Sequence, residues 1–346
     1  MTSIQILDGG LGTSLEDSYG VKFDHTNPLW STHFLLTNQS TLLACQRDFS
    51  IAGADVLLTA TYQTSIEGFA RTKTDDFPDG IPKDVIGKYL VAAVDIAENA
   101  SVREEAAKLA LSLGPYGASM IPGQEYSGQY DAAHSTEEEL FQWHLERLRL
   151  FTAVEGLMSR VKYVAFETLP RLDEVRAVRR AIWAAGMETK FWVSCVFPGE
   201  GEGLPDGSSV EEVVQAMVGD LEGAGRPWGV GLNCTKIHKV PGLIGKFEEA
   251  LEKMGVVGVE GMPALVLYPD GTNGEVYNTT TKIWEKPEGK VDSDGAKESW
   301  GAQLASAVQS AQARGCFKSF LVGGCCKASA SDIKKLREHF HKELNT

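Results

Sequence analysis

The amino-acid sequence predicts an α/β protein, a (β/α)8 TIM-type barrel forming a single domain over residues 1–346. Three observations predict it. Short apolar, β-branched runs alternate with longer segments of helical spacing; the runs number eight; and unusual polar residues stand at the C-terminal ends of several runs. An open doubly wound sheet shares the alternation but gathers its polar residues at one switch point.

The strand runs are Ile4–Leu7, Val56–Ala60, Leu109–Leu113, Tyr163–Phe166, Phe191–Phe197, Trp228–Leu232, Ala264–Tyr268 and Phe320–Val322. Each is apolar on both faces, as a strand covered by helices must be. Helical spacing appears over Ser40–Ile51 and Lys83–Ala106, then from Thr136, where Thr136 and Glu139 stand at the separation of a capping box. It returns over Leu172–Ala185, where Gly186 is a C-terminal stop, and over Ser209–Leu221, Leu243–Met254, Trp300–Arg314 and Ser331–Leu344. Three long, Gly-rich connections, Gly114–Ser135, Pro198–Ser208 and Pro269–Ala296, each follow a strand and would stand over one mouth of the barrel.

Composition narrows the function. The chain is 43% hydrophobic and 23% charged, ordinary for a globular protein, which excludes disordered and fibrous classes. Its 47 acidic residues against 33 basic ones give a net charge of −14. Such a surface repels nucleic acid and welcomes a small cation. No apolar run reaches the ~18 residues of a membrane span, and the first ten residues have no leader pattern. The expected compartment is the cytoplasm. A chain of 346 residues buries a sufficient core without disulfides, so clustered cysteines point to a metal or to catalysis.

The strand ends carry that cluster. The first ends in Asp8-Gly9-Gly10, the second in Thr59-Ala60-Thr61-Tyr62, and the third in Gly114-Pro115-Tyr116-Gly117. The fourth ends in Glu167-Thr168, the sixth in Asn233-Cys234 and the eighth in Gly323-Gly324-Cys325-Cys326. A barrel brings Cys234, Cys325 and Cys326 to one rim. Three thiolates suit Zn2+ and leave its fourth position open, the pattern of a catalytic rather than a structural site. The glycines before Cys325 are expected to permit a tight turn. Cys45, Cys195 and Cys316, each alone, read as small buried hydrophobes. His238 lies past its strand and reads as a loop residue. His339 and His341, two apart on a helix, point different ways and form no metal pair.

The segments DGGLGTSLE, NPLWS, ADVLLTATYQTS, LGPYGA with GQEYSGQY, FETLPRLDE, GVGLNCT and VGGCC, in that order, closely resemble the homocysteine S-methyltransferases from about residue 4 to 330. The resemblance implies a barrel with Zn2+ on Cys234, Cys325 and Cys326. It implies that the backbone N–H groups of Asp8 and Gly9 meet the homocysteine carboxylate and that Glu167 pairs with its ammonium group. Asn233, beside Cys234, joins this substrate-binding set. The implied reaction moves a methyl group to the homocysteine sulfur and makes methionine. A free thiol with a pKa near ~8.5 is mostly protonated at neutral pH, and a metal removes that proton.

For the donor, the chain ends about twenty residues after Cys326, which leaves no room for a cobalamin or folate module. A small sulfonium remains, S-methylmethionine first and S-adenosylmethionine second, and NPLWS and TATYQTS resemble the branch that uses such donors. Trp30, Tyr62, Tyr116, Tyr126 and Tyr130 are the aromatic candidates for facing the cation. The betaine-using relatives carry a C-terminal oligomerisation extension not seen here, so a monomer is expected. The sequence departs from the family in having Ser-Met at 119–120 where Tyr-Leu is frequent, which bears on donor choice. Competing readings are selenocysteine, selenohomocysteine or betaine as substrates. Further off stand a zinc-binding thiol sensor without turnover and a sugar-phosphate aldolase or isomerase. The last needs a phosphate cradle after strands seven and eight and a strand-end lysine, and Cys-Cys stands there instead.

Overall fold

A computed structural model describes residues 2–23, 28–103, 105–258, 261–272, 275–278, 283–285 and 298–341. Asn27 of the NPLWS segment, the residues after 341 and most of the 279–297 stretch lie outside them. The strands are β1 Ser3–Ile6, β2 Val56–Leu58, β3 Lys108–Leu113, β4 Tyr163–Leu169, β5 Lys190–Cys195, β6 Gly229–Lys236, β7 Ala264–Asp270, β8 Val276–Asn278, β9 Ile283–Glu285 and β10 Ser319–Val322. Eight of them form one sheet in the order β1-β10-β7-β6-β5-β4-β3-β2. All of these pairings are parallel, and a bridge from Leu7 to Val56 brings β1 back against β2. The expected barrel is therefore present, with all eight strand runs in place. The hairpin of β8 and β9 was not expected and belongs to the long connection after β7.

The helices are α1 Leu11–Tyr19, α2 Phe34–Thr37, α3 Gln39–Ala52, α4 Ile66–Arg71, α5 Ile86–Ala100, α6 Glu137–Thr152, α7 Leu172–Ala184, α8 Val210–Val218, α9 Val240–Lys253, α10 Trp300–Arg314 and α11 Ala330–His341. The capping box forms at α6, where Thr136 accepts from the Glu139 N–H and the Glu139 carboxylate accepts from the Thr136 N–H. Gly186, past the end of α7, has φ +64°. The Lys83–Ala106 expectation runs too far: α5 stops at Ala100 because Ser101 turns extended and its hydroxyl accepts from the Ala107 N–H. The short helices α1, α2 and α4 were missed, being too brief to show a period.

Burial falls into two layers. Residues such as Leu57, Leu111, Val164 and Phe166 point outward from the strands into the helix ring, while Val56, Ala110, Ala165, Trp192 and Val266 fill the barrel interior. This is a packed core rather than a pore, and it leaves only the C-terminal mouth for chemistry. Among the described residues no helix is long and apolar enough to cross a membrane.

Candidate metal centre and substrate cavity

Strand alternation aims one residue in two at the barrel axis. One step beyond the apolar inward positions, the next inward residues turn polar: Ser112 after Ala110, Glu167 after Ala165, Ser194 after Trp192 and Tyr268 after Val266. They bond to one another. The Ser112 hydroxyl donates to Glu167 Oε1, the Tyr268 phenol also meets the Glu167 carboxyl, and Tyr268 Oη lies 2.5 Å from Ser194 Oγ and 3.1 Å from the Trp192 indole nitrogen. Glu167 is only 4% exposed. Burial raises its pKa from 4.5 to about 7, against the pull of the two hydroxyls and the Arg147 charge.

Bulges then re-aim the strand ends. The β4–β5 register shifts between Phe166 and Leu169, and the β6–β7 register between Asn233 and Lys236. At these points Thr168 has φ +62° and Cys234 φ +45°, conformations that a β-branched residue above all avoids. Asn233 locks the two bulges together. Its Oδ1 accepts from the Thr168 N–H at 2.7 Å, and its Nδ2 donates to Thr168 Oγ1 at 2.7 Å and stands 3.9 Å from Cys325 Sγ. The amide is thus spent inside the wall. Asn233 braces the site and does not itself line the cavity.

The three cysteines do meet. Their sulfurs lie within 4.8 Å of one another at the cavity floor, with Cys234 buried and Cys325 and Cys326 half-buried. Cys234 and Cys325 are joined here as a disulfide with Cα atoms 5.3 Å apart, while Cys326 is free, its Sγ 4.0 Å from that of Cys234. The joined sulfurs stand in for two thiolates of the reduced protein. The donor set fits zinc: sulfurs at ~2.3 Å from a tetrahedral centre lie about 3.8 Å apart. Burial pushes the Cys326 thiol up to about 12, so a thiolate there calls for a nearby cation.

Glycine lets the rim close up. A Cβ on Gly10 would lie 2.5 Å from the Cys325 carbonyl oxygen, and one on Gly324 would lie 2.2 Å from the Ala328 Cβ. Close approach, rather than the expected tight turn, is why glycine stands before Cys325. The left-handed residue of that segment is Lys327, with φ +62°.

At β1 the expectation needs correcting for one donor. The Asp8 N–H is already given to the Val56 carbonyl at 3.1 Å, whereas the Gly9 N–H meets no acceptor among the described residues. Gly9 lines the cavity and Asp8 lies behind it. The Asp8 Oδ2 accepts from the Leu58 N–H at 2.8 Å, and its buried Oδ1 has no partner among the described residues. Burial raises this carboxyl well above its ordinary range, with Glu167 adding to the effect.

The aromatic candidates divide. Trp30, Tyr62 and Tyr126 line the cavity, and Tyr126 Oη lies 3.9 Å from Cys326 Sγ. Tyr116 and Tyr130 do not. Tyr116 stacks on His134 and bonds to Asp131, and Tyr130 donates to Glu174 at 2.6 Å, so both hold the wall from behind. Met120, at the Ser-Met departure, does line the cavity. Reading the sequence missed Glu125, Tyr268 and Trp284 as lining residues. Glu125 sat in plain view within GQEYSGQY, and Tyr268 follows from the two-residue period, but Trp284 depends on a hairpin that no pattern announced. The cavity opens at the barrel mouth, and together with that open space it measures about 1230 Å3.

Comparison with known proteins gives the family. Residues 5–340 match the family model described as homocysteine S-methyltransferase. A betaine-homocysteine S-methyltransferase of Drosophila melanogaster is 30% identical, over 96% of this chain and 92% of its own length. Homocysteine S-methyltransferase 4 of Zea mays is also 30% identical, over 96% of this chain and 87% of its own. Since the betaine-named relative is matched over nearly its full length, chain length does not separate the donor classes. The homocysteine methyltransferase MmuM of Escherichia coli, in its metallated form, shares the fold with a TM-score of 0.67 at 24% identity, over 97% of this chain and 96% of its own. The chain belongs to the homocysteine S-methyltransferase family.

Proposed function

We propose that this enzyme transfers a methyl group from S-methylmethionine to L-homocysteine at a zinc centre held by Cys234, Cys325 and Cys326, making methionine in the cytoplasm. The single observation that carries the reading is the meeting of three sulfurs from two distant strands on the floor of one cavity, beside a buried carboxyl. Bound there, zinc supplies a Lewis acid that lets a substrate thiol lose its proton at neutral pH.

The chain's own residues do the positioning. Glu167, held by Ser112 and Tyr268, takes the homocysteine ammonium group, whose charge draws the carboxyl into its ionised form. The Gly9 N–H meets the homocysteine carboxylate. Trp30, Tyr62 and Tyr126, which line the cavity, face the sulfonium with their rings. The acceptor sulfur then attacks in line. A lone pair on it forms the new S–CH3 bond, while the pair of the old S–CH3 bond stays on the donor sulfur, now a neutral thioether. With S-methylmethionine both products are methionine, and the thiol proton passes to solvent. The task left to the protein is to hold two sulfurs in attack geometry.

S-adenosylmethionine is the second donor, and the selenium analogues of the acceptor fit the same positions. The Drosophila relative's name makes betaine the reading to beat. The test is metal analysis of the reduced protein followed by parallel assays with all three donors. About one zinc per chain and fastest turnover with S-methylmethionine are expected. Turnover with betaine alone overturns the donor, and metal without turnover on any donor leaves the thiol-sensor reading instead.

A further inference from the structure

One lining residue has no task in the reaction as written. Glu125 sits in the loop between β3 and α6, on the cavity wall, and nothing in methyl transfer asks for a second buried carboxyl there. Its Oε2 is shut off from solvent and meets no donor among the described residues. The carboxyl lies so tightly against the loop that a Cβ on Gly123 would come within 2.4 Å of Oε2. A buried acceptor without a donor is costly, and Glu125 belongs to the lining of a cavity from which a ligand can supply one.

Glu125, Glu167 and the ring of Tyr62 line the same cavity. Burial first, then the charge of Glu125 and after it that of Glu167, push the Tyr62 phenol up. An onium centre satisfies the ring faces but brings only C–H groups, with no N–H to give. A primary ammonium brings three N–H donors to a carboxylate and forms a charge-assisted bond. Homocysteine has one ammonium group, and Glu167 accounts for it.

We infer that Glu125 receives the α-ammonium group of the methyl donor, so that the site is built for a donor that is itself an α-amino acid carrying an onium methyl. This rests on the sulfonium reading above and deepens it. The same arrangement disfavours betaine, which has the onium charge but no N–H for Glu125.

The experiment uses the reduced, zinc-loaded full chain with S-methylmethionine and with 4-dimethylsulfoniobutyrate, the same molecule without its amino group. Glu125→Gln is expected to raise KM for S-methylmethionine about tenfold or more while leaving KM for homocysteine unchanged. The two proteins should be alike on the des-amino donor. Gly123→Ala, which displaces the carboxyl and keeps its charge, should show the same selective loss. Calorimetric titration of each donor alone reads the same preference without turnover. Unchanged KM for S-methylmethionine in Glu125→Gln, equal losses on both donors, or a rise in the homocysteine KM overturns the inference while leaving the donor assignment standing. A wild-type enzyme that uses betaine and ignores S-methylmethionine overturns both.

Discussion

Two aspartates at opposite ends of the barrel show what its two faces are for. At the N-terminal face Asp55 takes the Ile6 N–H at 2.9 Å and one guanidinium nitrogen from each of Arg103 and Arg337 at 2.8 Å. Although partial burial opposes it, those three partners hold its carboxyl below the ordinary range. At the mouth Asp8 has one oxygen satisfied and one orphaned, and burial raises it well above that range. Glu167 follows Asp8, raised to about 7. The closed end spends its charges on each other, while the open end keeps acceptors unpaired and backbone angles strained at Thr168 and Cys234. Unsatisfied groups cost stability, and a fold retains them where a ligand completes them.

Breaking the mouth should destroy chemistry and spare the fold. Cys325→Ser is expected to abolish stoichiometric zinc and to lower kcat/KM by about a thousandfold or more, about 4 kcal/mol in the barrier, with a cooperative melt retained. Metal analysis beside calorimetry checks it, and a variant that keeps metal and activity would remove Cys325 from the centre.

Breaking the base should do the reverse. Asp55→Ala leaves two guanidiniums facing each other without their carboxylate and is expected to cost about 2–4 kcal/mol of stability. Methyl transfer per folded molecule should stay within about twofold, since the chemistry sits at the other face. Denaturant titration with matched activity assays reads both. A loss of activity in the folded variant would show that the two faces are coupled.

The smallest effect sharpens the contrast through pH. Glu167 is harder to ionise when folded, so the unfolded chain loses its proton first and stability falls as pH rises from 4.5 towards about 7. Glu167→Gln removes this dependence and should stabilise the substrate-free protein by roughly 1–2 kcal/mol at pH 8 and by little at pH 4. Asp55 has the opposite sign: its contribution is present above the unfolded pKa and is lost on acidification through its lowered folded value. Relative to the parent protein, the Glu167→Gln difference should therefore open as pH rises from 4.5 towards about 7, whereas the Asp55→Ala difference should stay constant there and shrink only on acidification below 3.8. Parallel curves would mean that the mouth is as well satisfied as the base.

Much of this is legible in the sequence. The eight strand runs could be read because each is short, β-branched and two-sided, and Cys234, Cys325 and Cys326 because strand ends of a barrel share one rim. Glu167 stood out as a carboxyl at the end of an apolar run. For Asn233, adjacency to a cysteine does not reveal that its amide closes on Thr168, far back in the chain. Tyr116 and Tyr130 were misplaced for a similar reason: a loop residue's distance from a strand end says nothing about which side of the loop faces the cavity.

Composition and periodicity alone determined the barrel, the rim and the three sulfurs, because these depend on local rules of alternation and on a topology that repeats. Side-chain direction within the wall was decided by tertiary structure. Bulges in β4 and β6 shift the register by steps that no period contains, the loop after β3 folds Glu125 inward over a glycine, and the β8–β9 hairpin brings Trp284 across the mouth. Each depends on contacts between segments far apart in the chain, where the energy of packing outweighs local preference.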